Sequence, residues 1–142
     1  MILYLDASAL VKRYVQEKGS GDVNAWIDAA EMVVTGLVTR VEVAAAIARA
    51  GRMKLISAEE TRAALRLFRA EWESFQRLPI TENTVIRGDV LAVEHDLRGY
   101  DATHLACALL WQETLGMPVT LASFDGQLIE AARAVQMAYL PS

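Results

Sequence analysis

The chain reads as one α/β domain over residues 1–142, a mainly parallel central sheet of four or five strands with helices on both faces. Three observations lead there. Short apolar runs alternate with longer amphipathic ones, the pattern of strands joined by helical crossovers and hence of a parallel sheet. The first run, Ile2 to Leu5, is apolar without alternation, as a strand buried on both faces must be. A chain of 142 residues, 54% of them hydrophobic, suffices for one core and is too short for two ordinary ones.

After the Ile2 to Leu5 strand, the residues from Ser8 to Val15 suit a helix, and Gly19, Ser20 and Gly21 make a loop. Asp22 is placed to cap a helix through Ala30, and Met32 to Val34 supplies a second strand ending near Gly36. Thr39 to Ala50, alanine-rich and apolar at Val43, Ala46 and Ile47, is a helix that Gly51 should stop in a left-handed turn. Ser57 and Glu60 have capping-box spacing and open a helix whose Leu65, Phe68, Trp72 and Phe75 form one stripe, expected in the core rather than on a partner surface. Leu78 to Ile80 suits an edge strand, where Pro79 is tolerated. Thr81 caps a helix reaching about Arg98 and ended by Gly99, and another helix runs from Asp101 to about Thr114. Val119 to Ala122 is a fourth strand, Gly126 to Val135 the last helix, and Met137 to Leu140 a fifth strand. Trp26 and Trp111 read as core or interface anchors.

No apolar run approaches the roughly 18 to 20 residues that span a bilayer, and Met1 to Leu5 lacks the basic region of a secretory signal. The lone cysteine, Cys107, has no disulfide partner and behaves as a small buried hydrophobe. Both features lead to the expectation of a cytoplasmic protein with no membrane association. A net charge of −4 argues against a broad basic surface for nucleic acid, because such binding depends on many cationic contacts to phosphate. It does not exclude a nuclease, since clustered acids contribute to that balance and 11 of the 14 basic residues are arginines, suited to bidentate phosphate contacts.

Four acids occupy the ends of apolar segments. Asp6 follows the first strand, Glu42 lies in the first turn of the helix after the second, Asp101 opens its helix, and Asp125 follows the fourth strand across Ser123 and Phe124. In a parallel sheet, ligands bind beyond the carboxyl ends of the strands where strand order reverses, so all four can face one cleft. Such a cluster suits a hard divalent ion, Mg²⁺ or Mn²⁺, which takes carboxylate oxygens and activates water against a phosphodiester. Ordinary roles compete: Glu42 stands three residues after Thr39 as in a capping box, Asp101 could be an N-cap, and Asp125 before Gly126 resembles a turn. Asp6, against a wholly apolar strand, is costly without a partner. Lys12, Arg13 and Arg40 lie near the acids in sequence, and Lys12 and Arg40 are candidate phosphate contacts. His104, one turn beyond Asp101, is within reach of the cleft but reads first as a packed or surface histidine, as does His95.

The stretch Leu5-Asp6-Ala7-Ser8-Ala9-Leu10-Val11-Lys12 resembles the opening of the PIN domain, specifically of the VapC-type toxins of toxin–antitoxin pairs. Thr39-Arg40-Val41-Glu42-Val43, Tyr100-Asp101-Ala102-Thr103-His104-Leu105-Ala106, and Ala122-Ser123-Phe124-Asp125 with Leu128 resemble the family's three later acidic elements, in order and spacing. The resemblance implies a metal-dependent endoribonuclease with Asp6, Glu42, Asp101 and Asp125 as catalytic and metal-binding acids; the fourth acid is the family's most variable. It makes Ser8 a hydrogen-bond partner of a carboxylate or of water at the metal, with Ser123 in a similar supporting place. It also implies an RNA substrate, a homodimer, and a cognate antitoxin whose C-terminal segment crosses the cleft. Two other readings stand beside it. An aspartate-based phosphotransfer domain would use Asp6 as nucleophile, although Asp6-Ala7-Ser8 lacks a second aspartate two residues on. A catalytically inactive binding module would keep the fold and the partner without turnover.

Overall fold

The computed structural model describes residues 1–142. Five strands, β1 (Ile2–Leu5), β2 (Met32–Gly36), β3 (Gln76–Leu78), β4 (Val119–Ala122) and β5 (Ala138–Leu140), form one sheet of order β3-β2-β1-β4-β5. Every pairing is parallel, with Leu3 opposite both Val33 and Thr120 and Leu5 opposite Ala122. The chain builds outward from β1 to one edge and then returns to build the other, so strand order reverses between β1 and β4. Seven helices connect the strands: α1 (Ala7–Leu10), α2 (Ser20–Ala29), α3 (Thr39–Arg52), α4 (Ala58–Glu71), α5 (Glu82–His95), α6 (Gly99–Leu115) and α7 (Gly126–Ala134). Single 3₁₀ turns, Val11–Arg13 and Trp72–Ser74, extend α1 and α4. No helix is long and apolar enough to cross a membrane.

The uniform apolarity of β1 has a direct cause. Ile2 and Tyr4 enter a core formed with α5, α6 and α7, where Leu91, Leu105 and Leu128 are buried, while Leu3 and Leu5 enter a second core with Leu10, Val43, Ile47 and Phe68. Both faces of the central strand are thus covered, and no position is left for a polar side chain. The expected stripe lies in the second core, but only Leu65 and Phe68 belong to α4: Trp72 stands in the 3₁₀ turn that follows and Phe75 just beyond it in extended backbone, with Phe68, Trp72 and Phe75 buried and Leu65 packed against the cluster. Tyr14, Phe68, Trp72 and Phe75 meet edge to face in succession, at centroid separations of 5.2, 5.6 and 6.3 Å. Trp26 packs against this same core and Trp111 against the other. Buried Cys107 belongs to the core around Tyr4. Arg13 fastens the first helical turn to α4 by a fork onto Glu71, at 2.9 and 2.6 Å, and this bond holds Glu71 below the usual carboxylate range.

Several boundaries differ from the sequence expectation, each for a local reason. The helix expected from Ser8 starts at Ala7 and tightens into a 3₁₀ turn after Leu10. Asp22 does not cap α2, which begins at Ser20 behind Gly19 in a left-handed conformation, φ 95°. Gly51 does not stop α3: a side chain there would collide with Thr61 on α4, so the glycine permits close helix packing, and the left-handed residue is Lys54, φ 57°. β3 ends at Leu78, one residue before Pro79, and Leu37 N–H donates to the Leu78 carbonyl to close the edge pairing. α5 stops at His95 with Asp96 left-handed, φ 52°, and Gly99 begins α6 instead of ending α5. β5 begins at Ala138, and Met137 is buried just before it.

Phe68 joins two aromatic neighbours and the sheet, so Phe68→Ala should destabilise the fold by roughly 3–5 kcal/mol. Urea unfolding would measure it, and a loss below about 1 kcal/mol would show that the stripe does not carry this core.

Candidate active site at the carboxyl edge

The reversal of strand order places the ends of β1 and β4 side by side, with Asp6 N–H donating to the Ala122 carbonyl at 3.2 Å. Asp6 caps α1: its Oδ1 accepts from Ala9 N–H at 2.9 Å and from Ser8 Oγ at 2.7 Å. Its Oδ2 accepts from Ser123 Oγ at 2.6 Å. The serines accept in turn, Ser8 from Phe124 N–H at 2.9 Å and Ser123 from Asp125 N–H at 3.0 Å. Asp125 caps α7 through Oδ1 and the Leu128 N–H at 3.0 Å. Asp6 is therefore clamped by hydroxyls from opposite ends of the chain. Its carboxyl is nonetheless pushed above the ordinary value, because burial at 3% exposure outweighs the help of Ser123, His104, Ser8 and the Ala9 N–H.

Glu42 does not take the capping-box role. α3 begins at Thr39 behind Val38, which makes no side-chain cap, and Glu42 Oε1 instead lies 2.7 Å from Nε2 of His104 on α6. His104 is buried, and its Nδ1 lies 2.7 Å from the hydroxyl of Tyr4, itself fully buried in β1. The expectation of a packed histidine holds, but its partner is one of the four acids. Asp101 is not the N-cap of α6 either; Arg98 stands there, without a side-chain cap bond, and Asp101 lies in the first turn. Its carboxyl is pushed up, first by partial burial and then by the negative charges of Asp125 and Asp6, while His104 pulls the other way by more than Glu42 adds. Asp101 thus feels all three other acids, and the structure brings the four to one edge of the sheet.

They are not closed around a single point: no group of three or more His, Cys, Asp or Glu side chains stands ready to hold an ion. Each acid except Asp101 has turned at least one oxygen to a donor of its own, as like charges sharing a cleft tend to do. The donor set is nevertheless hard oxygen, and the charge repulsion that adds to burial in raising Asp101 is the kind a cation relieves, so a Mg²⁺ or Mn²⁺ ion fits the chemistry of these residues. Lys12 is already engaged, its ammonium bonded to Glu17 and the Lys18 carbonyl and lying 4.5 Å from the Phe124 ring centroid. Arg40 is exposed, with its guanidinium over Trp72 at 5.6 Å. Two open clefts of about 810 and 890 Å³, lined in part by Arg13, Glu71 and Arg77 and by Arg52, Ile56 and Thr61, include none of the four acids.

A doubly wound parallel sheet with a buried Asp6 and three partly exposed acids near its reversal point defines an acid-edged α/β domain. The chain belongs to the PIN domain family, whose sequence model matches residues 3–134. It is 32% identical over 142 residues to Ribonuclease VapC45 of Mycobacterium tuberculosis, covering 99% of this chain and 96% of the relative. The fold matches the FitAcB crystal structure from Neisseria gonorrhoeae with a TM-score of 0.67 at 19% identity, over 97% of this chain and 96% of that one. It also matches a toxin–antitoxin complex from Klebsiella pneumoniae, TM-score 0.57 at 17% identity, over 84% of each chain.

Because the folded pKa of Asp101 lies above its ordinary value of 3.8, its contribution favours the fold below that value and is lost as pH rises through the folded pKa. Asp101→Asn in chelator should therefore raise the melting temperature by a few degrees at pH 7, with the gain shrinking toward pH 4. Scanning calorimetry across that range checks it, and a gain that is absent at pH 7 would contradict a carboxyl raised by burial and neighbouring charge.

Proposed function

We propose that the chain is a metal-dependent endoribonuclease, the toxin of a toxin–antitoxin pair, which hydrolyses RNA phosphodiester bonds at Asp6, Glu42, Asp101 and Asp125. The observation that carries this reading is a buried, serine-clamped Asp6 at the carboxyl edge of a PIN domain, with Asp101 nearby under the negative charge of the other three acids. A relative over nearly the whole chain bears the name ribonuclease, and a structure of the same fold is a toxin–antitoxin complex.

In this reading the four carboxylates hold Mg²⁺ or Mn²⁺, which supplies an activated water nucleophile and charge compensation for the leaving oxygen. The protein's own share is positional. Ser8 and Ser123 fix both oxygens of Asp6, so that its orientation is set before any ligand arrives. Asp101, the acid with the fewest local bonds, is the one freest to meet a cation. Arg40, exposed in the first turn of α3, takes an RNA phosphate, whereas Lys12 keeps its structural bonds and steadies the Phe124 loop. A cognate antitoxin covers the acid edge when the toxin is held inactive, and the chain pairs with a second copy.

The phosphotransfer alternative fits poorly, since Asp6 is 3% exposed and each of its oxygens already accepts a hydrogen bond. The inactive-module alternative draws on the acids not being closed around one point. Purified, antitoxin-free protein incubated with total RNA and Mn²⁺, with and without chelator, separates it from the nuclease. Cleavage should be chelator-sensitive and should fall by roughly 100-fold or more in Asp101→Asn, while circular dichroism stays unchanged. Metal binding without cleavage of any RNA would favour the inactive module, and undiminished cleavage by the variant would remove Asp101 from the site.

A further inference from the structure

Glu42 is the one acid of the four whose hydrogen bond comes from a side chain on the opposite face of the sheet's edge. Its partner His104 is 2% exposed and bonded at both ring nitrogens, to Glu42 Oε1 and to Tyr4 Oη, each at 2.7 Å. The directions follow from chemistry. An ionised carboxylate only accepts, so Nε2 carries the proton toward Glu42, and in the neutral ring Nδ1 is then the acceptor of the Tyr4 hydroxyl. Tyr4 sits in the central strand with its ring edge-on to the imidazole, so it cannot turn away without breaking the core.

The surrounding backbone leaves room for this chain of bonds. At Gly36, the last residue of β2, an added Cβ would stand 3.0 Å from Tyr4 Oη and 4.0 Å from His104 Nδ1, closer to the hydroxyl than side chains ordinarily approach. Glycine at this position is therefore explained by the Tyr4–His104 bond and by no turn or unusual dihedral. Two independent features, a doubly bonded buried histidine and a strand-end glycine that accommodates its partner, point to the same purpose.

We propose that His104, locked in orientation by Tyr4, is the positioning residue for Glu42 and fixes the direction in which that carboxylate faces the cleft. The inference deepens the nuclease reading and rests on it for its catalytic consequence, while the hydrogen-bond chain stands on geometry. His104 touches no reacting atom; it acts through Glu42, as donors behind a ligating carboxylate do. A histidine that merely filled the core would matter for stability alone.

The test compares His104→Leu, His104→Gln and Tyr4→Phe with the unsubstituted protein, all well below their measured melting temperatures. Mn²⁺ affinity is read by titration calorimetry without RNA, kcat and KM are read on RNA, and imidazole tautomers are read by ¹⁵N magnetic resonance. His104→Leu should weaken Mn²⁺ binding and lower kcat, each by roughly 10- to 100-fold, with KM for RNA within about twofold. His104→Gln, which keeps a donor for Glu42, should recover much of both losses. Tyr4→Phe should fall between them, and His104 should show the Nε2–H tautomer in the unsubstituted protein. If His104→Leu binds Mn²⁺ as the unsubstituted protein does, or if Gln fails to improve on Leu, the proposal is overturned. Should the unsubstituted protein neither bind Mn²⁺ nor cut RNA, the nuclease reading fails, and the Nδ1–H tautomer would then overturn the positioning bond separately.

Discussion

A buried carboxylate at the end of the central strand governs this structure. Asp6 has to be reconciled with two apolar cores, and the fold does so by delivering a hydroxyl to each of its oxygens, one from Ser8 and one from Ser123. The Ser123 contact requires β4 beside β1, which is also the pairing that reverses the strand order and opens the edge of the sheet. Fold and site are thus solved by one arrangement. The carboxylate remains disfavoured in its charged form even so, because burial outweighs the bonds it receives. That residual demand for positive charge is what makes the edge chemically distinctive.

The same edge shows how a local structural role and a site role coexist in one residue. Asp6 and Asp125 are N-caps of α1 and α7, each holding a backbone N–H with Oδ1. Capping fixes the helix start, and the fixed helix start fixes the acid. Glu42 and Asp101 lie instead in the first turns of α3 and α6, where a negative charge also suits the helix dipole. Four helices therefore begin at one edge, each contributing one carboxylate, so their N-terminal fields partly offset the crowding of negative charge.

Much of this was legible in the sequence. Unbroken apolarity in Ile2 to Leu5 specified a strand with two covered faces, and acids at or just beyond the ends of the first and fourth strands specified a shared edge. Order and spacing of the acidic elements carried the family. Glycines were harder to read, because a residue without a side chain signals a turn and a close approach equally well: Gly51 makes room for Thr61, and Gly99 starts a helix rather than ending one. The His104–Glu42 bond was not legible, since 62 residues separate the partners and no pattern of spacing marks a long-range pair. A histidine within an otherwise apolar helical run was its only trace.

The two serines of the Asp6 clamp are 115 residues apart, one near the start of the chain and the other just past the fourth strand. Local folding cannot assemble such a pair; it needs the long-range pairing of β4 with β1. A ribosome that has not yet released β4, or a protease that has cut behind α6, leaves Asp6 with half its hydroxyls. Both oxygens of Asp6 are satisfied only in a chain folded through β4, so the geometry of this edge depends on segments from opposite ends of the sequence.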